Sequence, residues 1–296
     1  MTKRQTLILA LGALVILIGF TAFLLWPAPV VTPPVPEPVP EPVPVAIVAT
    51  SSSSSIGTSL QGRSITTHQF GTGLTHLIFI GGIHGGYEWN SVLLAYEMID
   101  EIMSGALLVP ANLTVHIIPD LNPDGTFLVT NTSGRFTPAD VDKTVTVGTG
   151  RFNANSVDLN RNFDCKWQEK STWRGNVVSA GTNAFSEPEA AALQRYITKY
   201  APAGVVFWHS QANAVYASEC EEGILPATRT LMTTYGTAAQ YKTVDTFDAY
   251  PVTGDAEGWL ASIGIPAITV ELSTHESLDW TKNRAGVAAV LNSYQE

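Results

Sequence analysis

Positive charge is scarce in this chain. Its 296 residues carry 16 lysines and arginines against 26 aspartates and glutamates, a formal net charge of −10. A nucleic-acid surface needs clustered basic residues, so this balance disfavours one. Neither G-x-S-x-G nor H-E-x-x-H occurs, which removes the usual sequence support for serine and thermolysin-like hydrolases. No internal repeat is visible. Cysteine is limited to Cys165 and Cys220. Outside the cytoplasm such a pair is able to form a disulfide, and two buried free thiols are the other reading. Apolar residues are in ordinary supply, at 45%, enough for a sizeable core.

The apolar residues are unevenly placed. After the short basic start "MTKRQ" (1–5) comes the uncharged run "TLILALGALVILIGFTAFLLW" (6–26), close to the 20 or so residues that cross a bilayer. Lys3 and Arg4 favour a cytoplasmic N-terminus, so the remainder is expected to face outward from a single-pass anchor in the cell membrane. A cleaved secretory signal would have a shorter apolar core and a better cleavage site than "WPAPVV", and would make the protein secreted. "PAPVVTPPVPEPVPEPVPV" (27–45) then has proline at nearly every second position. Such a stretch adopts polyproline II and forms no packed core. At about 3.1 Å per residue it could span on the order of 60 Å. "TSSSSS" is expected to end this linker flexibly, giving a linker over 27–55 and a folded domain over 56–296. With no long segment between anchor and domain, activity without proteolytic processing is expected.

The domain alternates two kinds of pattern. "THLIFIGGI" (75–83), "LTVHIIPD" (113–120), "AGVVFWHS" (203–210) and "PAITVELS" (266–273) are nearly continuous apolar runs, as in strands buried on both faces. Between them, "EWNSVLLAYEMIDEIM" (88–103) and "SEPEAAALQRYITKYA" (186–201) have helical spacing, the second opening with a capping box from Ser186 to Glu189. The expectation is an α/β single domain with a mixed, mostly parallel central sheet and helices on both faces. In such sheets reactive residues gather beyond the carboxyl ends of the strands. His84 follows one run, "NPDG" (122–125) a second, His209 ends a third and Glu271 ends a fourth. A hydrolytic zinc ion takes three protein ligands and leaves one position for water. His84, Glu88 and His209 supply such a set for one Zn2+, and Glu271 is the candidate general base.

The stretches "GGIHGGYEWN" (81–90), "NPDG", "RFNANSVDLNRNFD" (151–164), "FWHSQ" (207–211), "AYPVTGDAEGW" (249–259) and "ITVEL" (268–272) resemble, in order, those of zinc metallocarboxypeptidases of the carboxypeptidase A type. The resemblance spans nearly the whole domain. It implies that His84, Glu88 and His209 bind zinc and that Asp158 hydrogen-bonds the other nitrogen of His84. It implies that Asn160 and Arg161 hold the substrate's terminal carboxylate, and that Arg151 polarises the scissile carbonyl. Tyr250 would close over the bound residue, and Glu271 would be the base. The substrates implied are peptides with a free C-terminus, and the protein is expected to be monomeric. The family pattern has two residues between histidine and glutamate where this chain has three. A glutamate four residues on still faces the same side of a helix, and Gly85 and Gly86 give the turn freedom. Glu257 falls where the family lines the pocket for the terminal side chain. A carboxylate there favours Lys, Arg or an amine such as that of diaminopimelate, and a solvated helix glutamate is the alternative. His76 and His116 read as satisfied core residues, and His275 as at most a wall of the site. Rival functions are an amidase of cell-wall stem peptides, a deacylase of N-acyl amino acids, and a peptide-binding module without zinc.

Overall fold

The computed structural model describes residues 50–295. The anticipated anchor (6–26) and the proline-rich stretch lie outside these residues. Among the described residues, no helix is long and apolar enough to cross a membrane.

Eight strands form one sheet in the order β1-β2-β4-β3-β7-β10-β8-β9. They are β1 (Ser51–Thr58), β2 (Ser64–Gly71), β3 (Thr75–Ile80), β4 (Leu113–Ile118), β7 (Gly204–Ser210), β8 (Ala214–Ala217), β9 (Lys242–Val244) and β10 (Ala267–Leu272). A separate hairpin pairs β5 (Lys170–Trp173) with β6 (Asn176–Ser179). The four runs read as doubly buried strands are β3, β4, β7 and β10, which lie side by side as parallel neighbours. The pairings of β1 with β2, β2 with β4 and β10 with β8 are antiparallel, so the sheet is mixed.

Alternation along the strands sorts the core into two layers, because successive side chains point to opposite faces. Leu77, Phe79, Val206, Trp208, Ile268 and Val270 face one side. There they meet α1 (Trp89–Met103), α4 (Pro226–Ala239) and α6 (Trp280–Ser293). Ile78, Ile80, Val205, Phe207 and Ala267 face the other. There they meet α3 (Pro188–Tyr200) and α5 (Ala256–Ser262). The short α2 (Pro123–Thr130) begins within "NPDG". Both faces are thus covered, as continuous apolar runs require.

Two expectations fail. Ser51–Ser55, assigned to a flexible linker, belong to β1, and the fold starts there rather than at residue 56. Serine composition reads as loop, but pairing with Thr66–Phe70 of β2 takes up one side of this edge strand's backbone while the serine side chains stay exposed. At Gly57 the helix α3 comes so close that a Cβ would stand 2.6 Å from that of Ala192. The capping box is also absent. Glu187 is the N-cap and Pro188 opens α3. Glu189 instead accepts from the Leu60 amide (3.0 Å), tying α3 to the turn after β1.

Candidate active site

Strand register brings the distant members of the site together. Glu271 on β10 stands opposite His209 on β7, so the two point to the same face. His84 follows β3 by four residues, immediately before a 3-10 turn, Gly85–Glu88. That turn absorbs the additional residue between histidine and glutamate. Gly85 takes φ +45°, and a Cβ there would lie within 3 Å of Gly150 O and Asn122 O, so only glycine fits. Tyr87 is thereby turned outward, half-buried, while Glu88 is buried.

His84 Nδ1 lies 2.9 Å from Glu88 Oε1, His209 Nδ1 3.1 Å from Glu88 Oε2, and the two Nδ1 atoms 3.2 Å apart. All three residues are buried. Two imidazole nitrogens and a carboxylate therefore aim at one point, and Glu88 Oε2 has no hydrogen-bond partner. Such buried donors on a pocket wall fit a divalent cation, and the histidine–carboxylate chemistry suits zinc. The electrostatics agree. Burial alone would raise the Glu88 carboxyl, but the two imidazoles outweigh it and hold it well below its ordinary range. Burial would lower His209, but Glu88 and Glu257 outweigh it and raise it.

The other ring nitrogens also meet carboxylates. His84 Nε2 lies 3.3 Å from Asp158 Oδ1, close to it but without the hydrogen bond that the resemblance implies. Asp158 also accepts from Arg151 Nε (3.1 Å) and Nη2 (2.7 Å). Burial opposes its charge, and Arg151 and Arg161 overcome that, keeping the carboxyl well below the usual range. His209 Nε2 meets Glu257 Oε1 at 3.1 Å. This corrects the reading of Glu257 as a solvated helix residue. It is 3% exposed and also accepts from Thr269 Oγ1 at 2.9 Å. Burial favours its neutral form, and the hydrogen bond to His209 reverses that, leaving its carboxyl below the ordinary value.

His84, Glu88, His209 and Glu257 line a pocket of about 530 Å³ that also takes in Arg151, Asn160, Arg161, Tyr250 and Glu271. Arg151 is 2% exposed and its guanidinium lies over the Trp173 indole at 4.4 Å. "NPDG" supports it from behind: the Asn122 side chain caps α2 through Gly125 N and donates to Arg151 O. Arg161 donates from Nε and Nη2 to Thr172 O and from Nη1 to Asn160 O. A guanidinium has five N–H groups, so one remains on each of Nη1 and Nη2 for a carboxylate. Asn160 Oδ1 is held by Ala256 N at 2.8 Å. Tyr250 is half-buried against Phe247. Glu271 Oε2 is buried without a partner. Burial and the charge of Glu88 push its carboxyl up to about 8.

His275 lines the same pocket, its Nδ1 2.8 Å from Ser210 Oγ. His76 and His116 are satisfied within the fold: they lie 2.8 Å apart, and His116 Nδ1 is 2.6 Å from Tyr196 OH. The sulfurs of Cys165 and Cys220 are bonded. Sequence reading missed Trp173 and the hairpin that carries it. Its turn, Arg174-Gly175, has φ +49° and +81°, and an X-Gly pair between two short runs was the available signal.

The family described as zinc carboxypeptidase matches residues 49–289. Murein peptide amidase A of Escherichia coli (strain K12) is 27% identical over 208 residues, covering 66% of this chain and 69% of that protein. The crystal structure of a murein-tripeptide amidase from Escherichia coli O157 superposes with a TM-score of 0.57 at 24% identity, covering 86% of this chain and 97% of the other. Carboxypeptidase A from Helicoverpa armigera gives 0.60 at 18%, covering 84% and 70%. These two likenesses are of fold.

Proposed function

The chain belongs to the zinc carboxypeptidase family, and from that premise we propose that it is a zinc-dependent hydrolase removing the C-terminal residue of a peptide. The observation that carries this reading is a single pocket that holds both the His84–Glu88–His209 set and the Arg161 guanidinium. A zinc ion held by these three residues supplies Lewis acidity and makes water acidic near neutral pH. Arg161 and Asn160 bind the terminal carboxylate, so only the last peptide bond reaches the reactive end of the pocket. Glu271 accepts a proton from water as that water attacks the carbonyl carbon, then delivers it to the departing amine. Arg151, steadied by Asp158 and Trp173, donates to the carbonyl oxygen as it gains charge. Tyr250 covers the terminal residue.

One second reading has specific support. The 27% identity to a murein peptide amidase favours an amide bond within a cell-wall stem peptide. The same pocket serves if the leaving portion carries a carboxylate for Arg161. The apolar run at 6–26 supports a membrane-tethered protein acting outside the cytoplasm; fractionation of cells and protease accessibility of the domain test that part.

The deciding experiment incubates the purified protein with ordinary peptides and with stem peptides, and reads the products by mass. Loss of single C-terminal residues from ordinary peptides, abolished by chelation and by C-terminal amidation, is the expected result. Cleavage confined to stem peptides would replace the first reading with the second. No metal-dependent cleavage of either would sink both.

A further inference from the structure

Glu257 falls where the family resemblance would place the pocket for the substrate's terminal side chain, and its carboxylate has partners of its own. Oε1 takes two partners at once, His209 Nε2 at 3.1 Å and Thr269 Oγ1 at 2.9 Å. Thr269 and Glu271 are two residues apart on β10, so their side chains share a face, and His209 stands opposite Glu271 on the neighbouring strand. Glu257 reaches this face from the first turn of α5. The carboxylate therefore spans β7 and β10 directly behind the metal set. With His84 Nε2 beside Asp158, each imidazole has its outward nitrogen on an acid.

We propose that Glu257 is a positioning residue for the zinc set, fixing His209 with its proton on Nε2 and its lone pair on Nδ1. The proposal rests on the reading of His84, Glu88 and His209 as a zinc site. A neutral imidazole has one donor and one acceptor nitrogen, and the acceptor that Nε2–H finds decides which nitrogen is left for a metal. Glu257 makes that choice for His209 and sets the plane of the ring. Such partners typically carry a 10- to 100-fold effect on metal affinity.

Zinc affinity, measured by competition with a chromophoric chelator, tests this without any turnover. Glu257→Gln keeps the shape and one acceptor but loses the charge, and about a tenfold weaker affinity is expected. Glu257→Ala removes the partner altogether, and about a hundredfold loss is expected. Thr269→Val leaves the carboxylate in place and should fall between wild type and Glu257→Gln. The cobalt-substituted protein should show a shifted visible spectrum in both Glu257 variants. Circular dichroism of the metal-free proteins checks folding; should the alanine variant fail it, the isosteric glutamine variant decides alone. Affinities within twofold of wild type would overturn the proposal, and selective loss of cleavage before basic terminal residues would then give Glu257 to the substrate. If wild type itself binds no zinc, the functional reading falls first and takes this inference with it.

Discussion

Two pairs of histidines, one at the carboxyl edge of the sheet and one within it, have opposite fates. His84 and His209 face each other through Nδ1 atoms 3.2 Å apart. His76 and His116 are closer, 2.8 Å, joined Nδ1 to Nε2. The difference lies in what stands around them. Three carboxylates, those of Glu88, Asp158 and Glu257, touch the first pair. The second has a tyrosine hydroxyl and the Tyr200 ring. Accordingly His209 is raised well above its ordinary value, whereas burial, with the charges of His76 and Lys199 beside it, pushes His116 down to about 3. Position explains the contrast. The first pair lies at the carboxyl ends of β3 and β7, where turns and the start of α5 bring acids in. The second lies within β3 and β4, where only neighbouring strands and α3 can reach. Here acids surround one pair of imidazoles, and the other pair has a hydroxyl and a ring in their place.

Exchanging one residue at a time breaks or sharpens this contrast. The largest effect is expected from His209→Ala, which should abolish stoichiometric zinc binding and metal-dependent hydrolysis, as read by metal analysis and product mass. His116→Phe should retain one zinc per chain; loss of the metal there would end the distinction between the pairs. Next comes Glu271→Gln, with zinc retained and kcat reduced by about 10²–10⁴. Arg161→Met should cost roughly 10- to 150-fold in kcat/KM, the equivalent of about 1.5–3 kcal/mol for charged hydrogen bonds, and should narrow the preference for a free over an amidated C-terminus. The smallest effect concerns acid. Because His116 binds a proton less readily folded than unfolded, stability is full above about pH 6.5 and falls as pH drops toward 3. Melting temperatures across that range should drop more steeply in wild type than in His116→Phe.

Much of this site was legible in the sequence because strand ends are. Apolar runs of the right length marked four strands, and polar residues at their ends converge whatever the exact lengths of the loops. The His84–Glu88 spacing was readable as tolerable, with Gly85 and Gly86 as its source of freedom, though the 3-10 form of the turn was not. Glu257 was misread because its partner lies 48 positions away, and only the docking of α5 on β10 sets which way the carboxylate turns. The serines of β1 were misread because pairing with β2 overrides their loop-like composition. Trp173 had no periodicity to announce it, since a four-residue strand is too short to show one.

The bond between Cys165 and Cys220 joins chain positions 55 apart, and its placement has a consequence of its own. Cys165 follows the Asn160–Arg161 turn by four residues, and Cys220 follows β8, the strand beside the one bearing Glu271. The crosslink thus buckles the portion that would grip the substrate's tail to the portion that would cut it. Thiol reductants would slacken the mouth of the cleft while the two layers beneath it stay whole, and chain-end recognition would loosen before the molecule melts.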